Sequence, residues 1–502
     1  MKKQKILLNA TSSVIQILIT SVTLFLLYKY LLRAIGPENL GIWSLVLATT
    51  SIAQLANLGI TGSIVKYVAK YRAIGQDNKL SLLIQTSIIT IATFFLLLMV
   101  VVYPLADYYL RLTIRGASYY AAHSILPYAL VAFWIMMVTG IYQAGLYGCQ
   151  MITHRNLILA GESVSFLVIC MFLAPLYGLI GLAYARVIQN VITLFVTWCV
   201  LKRSVPALPL IPFRWEKSLF KEMVSYSVNL QLISIVVMLC DPVTKGLLSR
   251  YGSISMVGYY EMANRMVQQV RSIIVNANQV LVPAFAHLKE LEPEKIQTMY
   301  LNSYRLLFFV AVPTFSILAV SSPFISQIWV GKYENAFVYS AIILSIGWLL
   351  NTLCVPAYFA SLGTGELKWN LISHVVMGLS NLGIGIAAGI SFSGLGVVGA
   401  WALSLALGGI ILIIAYHVIN GLPMKELLPR TSRLLLVSCF VGVLLCYVIF
   451  VVGHSLNKPV LSSGIVILCF AITIAVPVWI HPLRKEIMGW IASIKFNKVF
   501  AE

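Results

Sequence analysis

The chain has 502 residues, of which 60% are hydrophobic and only 10% are charged, and its formal net charge is +19. Soluble globular proteins carry roughly a quarter charged residues, so this composition excludes a chain whose surface lies mainly in water. The excess of Lys and Arg over Asp and Glu points to anionic partners, and in so apolar a chain these are membrane lipids and not nucleic acid.

Apolar stretches of at least 18 residues recur along the chain, and each can cross the roughly 30 Å hydrocarbon layer as a helix. The sequence therefore predicts an all-α polytopic membrane protein without an appended soluble domain. The first stretch has no small-residue cleavage site, which indicates a retained helix and not a signal peptide. About fourteen transmembrane helices are predicted, near 9–33, 41–63, 83–105, 122–147, 156–175, 179–201, 223–249, 257–281, 303–321, 338–361, 369–390, 395–417, 433–453 and 460–480. A tight turn is predicted between the fifth and the sixth, around Pro175, Tyr177 and Gly178.

The basic residues of the short loops predict the orientation of these spans. Lys and Arg cluster at both termini and in the loops around 66–79, 202–221 and 425–433, whereas the opposite loops hold few. Cytoplasmic loops are the ones enriched in Lys and Arg. Both termini are therefore expected in the cytoplasm, with the protein in the cytoplasmic (inner) membrane and the tail 483–502 lying as an interfacial helix on the inner leaflet.

The chain also repeats itself weakly. Short matches begin at Gly36 and Gly252, at Gly148 and Gly363, and around 178 and 396, at offsets of 214 to 218 residues. This offset spans six helices, so both copies enter the membrane in the same direction. We expect an N-terminal lobe at 1–210, a C-terminal lobe at 211–430 in parallel pseudo-repeat, and two extra helices at 431–482.

Polar side chains recur at helical spacing within several predicted spans. Span eight is the clearest, and spans two, six and seven carry similar stripes. We interpret these four stripes, two from each lobe, as the lining of a water-filled cavity between the lobes. The span-eight stripe comprises Glu261, Arg265, Gln268, Ser272, Asn276 and Gln279; the others comprise Thr50, Gln54, Asn57 and Thr61, then Arg186, Asn190, Thr193 and Thr197, then Ser227, Gln231, Ser234, Asp241, Lys245 and Ser249.

Cations inside the spans are the candidate substrate-binding residues, because an intramembrane charge is costly and usually functional. Each has an alternative. The role of Lys245 could be limited to neutralising Asp241, four residues earlier, and the role of Arg265 to neutralising Glu261. The Lys29 side chain could extend to the outer membrane surface. Arg271 lies off the span-eight stripe and has no predicted place. The predicted substrate-binding set is Arg265, Arg186, Lys245, Lys29, Gln268 and Asn276.

Carboxylates are scarce in the spans. Glu162 and Asp241 are the candidates for coupling transport to an ion, although Glu162 could instead neutralise a cation such as Arg186. The resulting cavity is cationic, which favours anions over organic cations. The scattered cysteines and histidines predict neither a metal site nor a cofactor.

Several segments resemble the polysaccharide lipid flippases of the multidrug/oligosaccharidyl-lipid/polysaccharide exporter superfamily, which includes the O-antigen flippase Wzx. They are LRAIGPENLGIW at 32–43, VKYVAK at 65–70, DPVTK at 241–245, GYYEMAN at 258–264 and PAF at 283–285. The resemblance covers most of the chain and implies a two-lobed, V-shaped bundle.

The same resemblance implies a substrate, undecaprenyl diphosphate carrying an oligosaccharide, which is moved to the outer leaflet by alternating access. It also implies a polysaccharide polymerase and a chain-length regulator as partners. A cleft lined by Arg suits such a substrate, because guanidinium groups offer paired donors to diphosphate oxygens.

Two other functions would leave different features in the sequence. An ion-coupled multidrug or organic-cation antiporter of the same superfamily would need several carboxylates facing the cavity, and only Glu162 lacks a nearby cation in sequence. A membrane-embedded transferase would need a loop long enough for a catalytic site, and the predicted loops are short. The sequence therefore predicts a transporter and not an enzyme.

Overall fold

The computed structural model describes residues 3–52, 60–227, 231–455 and 459–484, and nearly all of them lie in helices. No strand occurs in these four ranges, and several of their helices are long and apolar enough to cross a membrane, so the prediction of an all-α membrane protein is confirmed. The predicted interfacial helix at 483–502 falls, from residue 485 onward, outside the described residues.

The chain forms two compact units, Met1–Gly258 and Tyr259–Glu502, and the division falls within one helix, α9 (Ile254–Asn278). The lobe limits predicted at 210 and 430 stay predictions. The first unit contains α1 Lys3–Ala34, α2 Gly36–Ile52, α3 Ile60–Ala73, α4 Asp77–Thr113, α5 Ala117–Gly148, α6 Ile152–Ser204, α7 Lys217–Ser227 and α8 Gln231–Tyr251.

The second unit continues from α9, and its last two helices pack on each other and on α11. These two helices are the predicted spans thirteen and fourteen. The unit contains α10 Leu281–Leu291, α11 Lys295–Trp329, α12 Asn335–Thr352, α13 Val355–Thr364, α14 Lys368–Ile419, α15 Arg433–Ser455 and α16 Pro459–Ile480.

Each of the fourteen predicted spans coincides with one or two of these helices, or with half of α6 or α14, where its residues are described. Within the described ranges, eight segments are long and apolar enough to cross a membrane. Helices α8 and α9, which carry charged residues, fall outside this set. At 53 and 52 residues, α6 and α14 would each extend about 80 Å if straight, far more than one crossing requires.

Both long helices are interrupted near their middle by a tight turn. In α6 the break is at Gly178, where φ is 57°. The tight turn that the sequence predicts between spans five and six is therefore confirmed. A Cβ added at Gly181 would lie 2.2 Å from the carbonyl oxygen of Leu173, so the two arms pack backbone against backbone. Close approach therefore requires glycine at position 181, and the positive φ favours glycine at position 178.

The same turn recurs in α14. Ser393 has a φ of 56°, and a Cβ at Gly396 would lie 2.2 Å from the carbonyl oxygen of Ala388. Ser393 and Gly396 follow Gly178 and Gly181 by 215 positions each, an offset within the range found in the sequence. The structure thereby corrects one match of the repeat, because it pairs Gly396 with Gly181, whereas the sequence match around 178 and 396 pairs it with Gly178. The close approaches of Gly148 to Val68 and of Gly363 to Phe285, each 2.7 Å from an added Cβ, form a second matching pair.

Candidate substrate-binding residues

The polar stripe on α9 is open along most of its length. Arg265, Gln268, Asn276 and Gln279 are exposed, and Ser272 is half-buried. The amide side chains are linked to one another: Gln268 donates to Asn264 at 3.2 Å, and Gln279, directly after the helix, donates to Asn276 at 3.2 Å. Polar side chains that face lipid are rare in membrane proteins, so this face of α9 is suited to water or substrate.

Glu261 anchors the start of this stripe. Its side chain is 3% exposed, and its Oε1 accepts a hydrogen bond at 2.7 Å from Nε of Arg265, whose side chain is 46% exposed. A carboxylate buried to this extent needs a cation or several donors beside it. The bond through Nε orients Arg265, while the exposed part of its guanidinium can still approach a ligand.

Arg186 and Glu162 meet in the first unit, from the two arms of α6. Nη1 of Arg186 lies 3.9 Å from Oε1 of Glu162 and 2.8 Å from Oε1 of Gln189, to which it donates. The guanidinium also lies 5.0 Å from the ring centre of Phe166. The turn at Gly178 thus creates an ion pair between residues 24 positions apart, and both side chains are partly exposed.

The rest of the span-six stripe does not line an open cavity. Asn190, Thr193 and Thr197 are buried, and Nδ2 of Asn190 donates to the carbonyl oxygen of Ala132 on α5 at 2.6 Å. Asn190 thus joins α6 to α5, as polar residues often do between transmembrane helices. Thr197 instead donates to the carbonyl oxygen of Thr193, and Thr193 accepts from Gln189, within α6 itself. The expectation that the three stripe residues face water is wrong. Helical periodicity in the sequence identified the polar face of this helix, but it could not show that the face packs against α5.

The other two stripes are described only in part. Thr50 of span two is buried, and its hydroxyl donates within α2. The remaining members of that stripe, and the span-seven residues 227, 231 and 234, lie outside the described side chains. Ser249 donates to the carbonyl oxygen of Thr113 at 2.7 Å, a contact between α8 and α4.

Lys245 and Asp241 form an ion pair on α8. Nζ of Lys245 lies 2.8 Å from Oδ2 of Asp241, and the exposed fractions of the two side chains are 2% and 40%. A buried ammonium requires such a partner. Asp241 is therefore the accessible member of the pair. Direct contact of Lys245 with substrate stays a prediction, and it would require the buried Lys245 side chain to become exposed.

Lys29 is half-buried on α1 and makes no ion pair with any residue in the described ranges. The polar side chains earlier in α1 instead contact α6. Nδ2 of Asn156 lies 3.0 Å from Oγ of Ser12 and 2.9 Å from Oγ of Ser13. Lys29 is thus separate from the polar contacts that join the two helices, and its role in binding stays a prediction.

Arg271, which the sequence left without a place, contacts α12. Its Nη2 donates to Oδ1 of Asn351 at 3.1 Å, and its guanidinium lies 4.5 Å from the ring centre of Trp348. Its position, three residues after Gln268, indicates that it borders the polar stripe. The partners on α12 are about 80 residues away in sequence, so no local pattern could have identified them.

An apolar cavity of about 430 Å³ opens between α11, α12, α15 and α16. Its wall is largely aliphatic and aromatic, so it suits a hydrocarbon chain and not a charged group. The lining includes Val320, Tyr339, Ile342, Leu444 and Val466. In the described part of the chain, no group of three His, Cys, Asp or Glu side chains could hold a metal ion.

Comparison with known proteins relates the chain to polysaccharide biosynthesis. The family model described as "Polysaccharide biosynthesis protein" matches residues 4–289, which is more than half of the chain and includes α9. A curated relative, a putative O-antigen transporter of Shigella flexneri, is 19% identical over 353 residues, covering 69% of this chain and 82% of the relative.

Two solved structures share the fold. An inward-facing multidrug resistance transporter of the MATE family, within the MOP superfamily, superposes with a TM-score of 0.70 at 15% identity, covering 82% of this chain and 98% of that structure. The lipid II flippase MurJ in an inward closed conformation also has a TM-score of 0.70, at 14% identity, covering 93% and 98%. At these identities the likeness shows the fold alone.

Proposed function

Because the chain belongs to the family described as polysaccharide biosynthesis proteins, we propose that it flips an undecaprenyl-diphosphate-linked oligosaccharide from the cytoplasmic to the outer leaflet. The observation that carries this proposal is the exposed polar stripe of α9 with Arg265 at its charged end. The amides of Gln268 and Asn276 suit hydroxyl groups of a glycan, and Arg265 suits an oxygen of the diphosphate.

The charges of the first unit support the same substrate. Nη1 of Arg186 lies 3.9 Å from Oε1 of Glu162, at the outer limit of an ion pair, and the Arg186 side chain is 26% exposed, so a ligand can reach it. An arginine in this setting can exchange a weak carboxylate contact for a stronger one with a diphosphate. We propose alternating access as the mechanism, with Arg186 and Arg265 as the principal substrate cations.

Both termini are proposed to be cytoplasmic, in the inner membrane. In the first unit, basic loops meet at one end, where Nη2 of Arg72 lies 3.4 Å from Oγ of Ser204. At the other end Ser118 donates to Glu38 at 2.6 Å.

Cysteine labelling tests this orientation. A cysteine replacing Lys217, in otherwise cysteine-free protein, should be protected from an impermeant thiol reagent in intact cells, and one replacing Arg115 should react. The reverse pattern would overturn this orientation.

Reconstitution tests the function directly. Liposomes with purified protein would contain an undecaprenyl-diphosphate-linked disaccharide with a fluorescent label on its sugar, and dithionite would quench the label that reaches the outside. We expect quenching to be faster and more complete than in protein-free liposomes. A fluorescent organic cation is the second probe. Transport of the cation without flipping of the glycolipid would replace this proposal with the antiporter alternative, for which the partly exposed carboxylate of Glu162 is the relevant feature.

The same liposomes separate two modes of coupling. Outward movement of an anionic headgroup is favoured by an inside-negative potential, at about 2.3 kcal/mol per charge per 100 mV, so the potential alone could drive flipping. If Glu162 carries a coupled proton, Glu162→Gln should lose the response to a pH gradient and keep the response to the potential. If both responses are unchanged, Glu162 has no coupling role. Asp241→Asn is the matched comparison for the second candidate acid.

A further inference from the structure

Arg271 is a cation in the interior of the second unit whose charge has no acidic partner among the described residues. Nη2 donates to Asn351, the guanidinium lies against Trp348, and Nε is buried without a hydrogen-bond partner. This arrangement contrasts with Arg265 and Arg186, each of which lies near a glutamate. A guanidinium stays charged in a protein, so the charge cannot be lost by deprotonation.

The groups around Arg271 carry no compensating charge at neutral pH. Cys354 and Tyr358 are the titratable groups that interact with it most strongly, and His374 lies close enough to be affected by it. A thiol, a phenol and an imidazole are neutral or positive at pH 7. Leaving an arginine in this state is unfavourable, and ionisable residues within transmembrane segments usually mark a substrate or ion path.

The partners of Arg271 are themselves held in place. Nε1 of Trp348 lies 3.4 Å from Oδ1 of Asn264, and the Trp348 ring packs edge-on against Trp401 with centres 6.1 Å apart. Asn351 donates to the carbonyl oxygen of Leu405 at 3.1 Å. Because three helices (α9, α12 and α14) fix these contacts, the guanidinium is pre-oriented, which lowers the entropic cost of binding a ligand.

We propose that Arg271 is an anion-binding subsite that receives an oxyanion, a phosphate or a carboxylate, from the translocated glycolipid. The inference rests on the proposed function and deepens it, because it adds a specific cation of the second unit to the substrate path. Arg271 borders the exposed stripe of α9, where Gln268 lies three residues before it. The oxyanion could belong to the lipid diphosphate or to an acidic sugar.

Binding to purified protein in zwitterionic nanodiscs tests the subsite, with undecaprenyl diphosphate as one probe and glucuronic acid as the other. Arg271→Met removes the charge and keeps the apolar stem against Trp348. We expect it to weaken binding of one probe about tenfold or more, as for loss of a hydrogen bond to a charged group. The probe affected identifies the source of the oxyanion. Arg271→Lys should retain part of the affinity, and Arg250→Gln, at an exposed position, should retain all of it.

The melting temperature without ligand distinguishes this role from a purely structural one. Removing an uncompensated buried charge should leave the melting temperature of Arg271→Met unchanged or higher. If it falls while both affinities are unchanged, Arg271 only joins α9 to α12 and the inference is wrong. If the wild-type protein flips the labelled glycolipid but the Arg271→Met variant binds both probes normally, the proposed subsite is wrong and the proposed function still holds. Wild-type protein that does not flip would overturn the proposed function.

Discussion

Replacement of Arg186 by alanine is expected to reduce flipping of the lipid-linked glycan about 10- to 100-fold, with normal protein abundance. The range follows from about 1.5–3 kcal/mol for hydrogen bonds to a charged group, because the diphosphate would lose a paired donor. Arg186→Lys should keep part of the activity, since the charge survives and the planar donor pair does not. The initial quenching rate in the liposome assay measures the effect.

A double variant separates substrate binding from simple neutralisation of Glu162. If Arg186 only balances that carboxylate, Arg186→Ala combined with Glu162→Ala should restore wild-type flipping. If Arg186 binds the diphosphate, the double variant should remain impaired. Arg203→Ala is the matched control, because Arg203 is exposed at the end of the same helix and should be silent.

Arg265 calls for a different design, because its partner is buried. Arg265→Ala would leave the carboxylate of Glu261, 3% exposed, without its cation, and a folding defect could then reduce activity indirectly. Arg265→Gln together with Glu261→Gln removes both charges. We expect the double variant to fold and to lose flipping to a similar degree as Arg186→Ala. Full activity in this variant would show that α9 does not supply a substrate cation.

The second large effect is expected at the turns of the two long helices. Gly181→Ala and Gly396→Ala should each lower the yield and melting temperature of the purified protein, because the new Cβ would lie 2.2 Å from a backbone carbonyl oxygen. A backbone atom cannot move aside as the end of a side chain can. Overpacking of this kind costs about 1–3 kcal/mol, and the two arms would have to separate.

Two other glycines in the same helices provide matched controls. A Cβ at Gly161 in α6 or at Gly399 in α14 would meet nothing within 4 Å. Alanine at these positions should be neutral or stabilising by up to about 1 kcal/mol, since alanine favours helix. Equal melting temperatures for Gly181→Ala and Gly161→Ala would mean that the arms of α6 are not closely packed. Thermal unfolding followed by size-exclusion chromatography in detergent provides the comparison.

The sequence by itself determined the all-helical membrane architecture, the positions of the spans, the turn at Gly178 and the internal repeat. These features depend on local information. A span is defined by the length of an apolar stretch and a polar face by helical periodicity, and both can be read without knowing which helices are neighbours. Pairs four residues apart, such as Glu261 with Arg265, follow from the same periodicity.

The tertiary structure alone decided which polar faces are open and which cations have partners. Asn190 and Gln268 both lie on polar stripes, yet Asn190 is buried against α5 whereas Gln268 is exposed. Arg271 had no place in the sequence pattern because its contacts, Trp348 and Asn351, are brought to it by another helix. Helical periodicity assigns a residue to a face, but the burial and charge compensation of that face depend on the packing of segments distant in sequence.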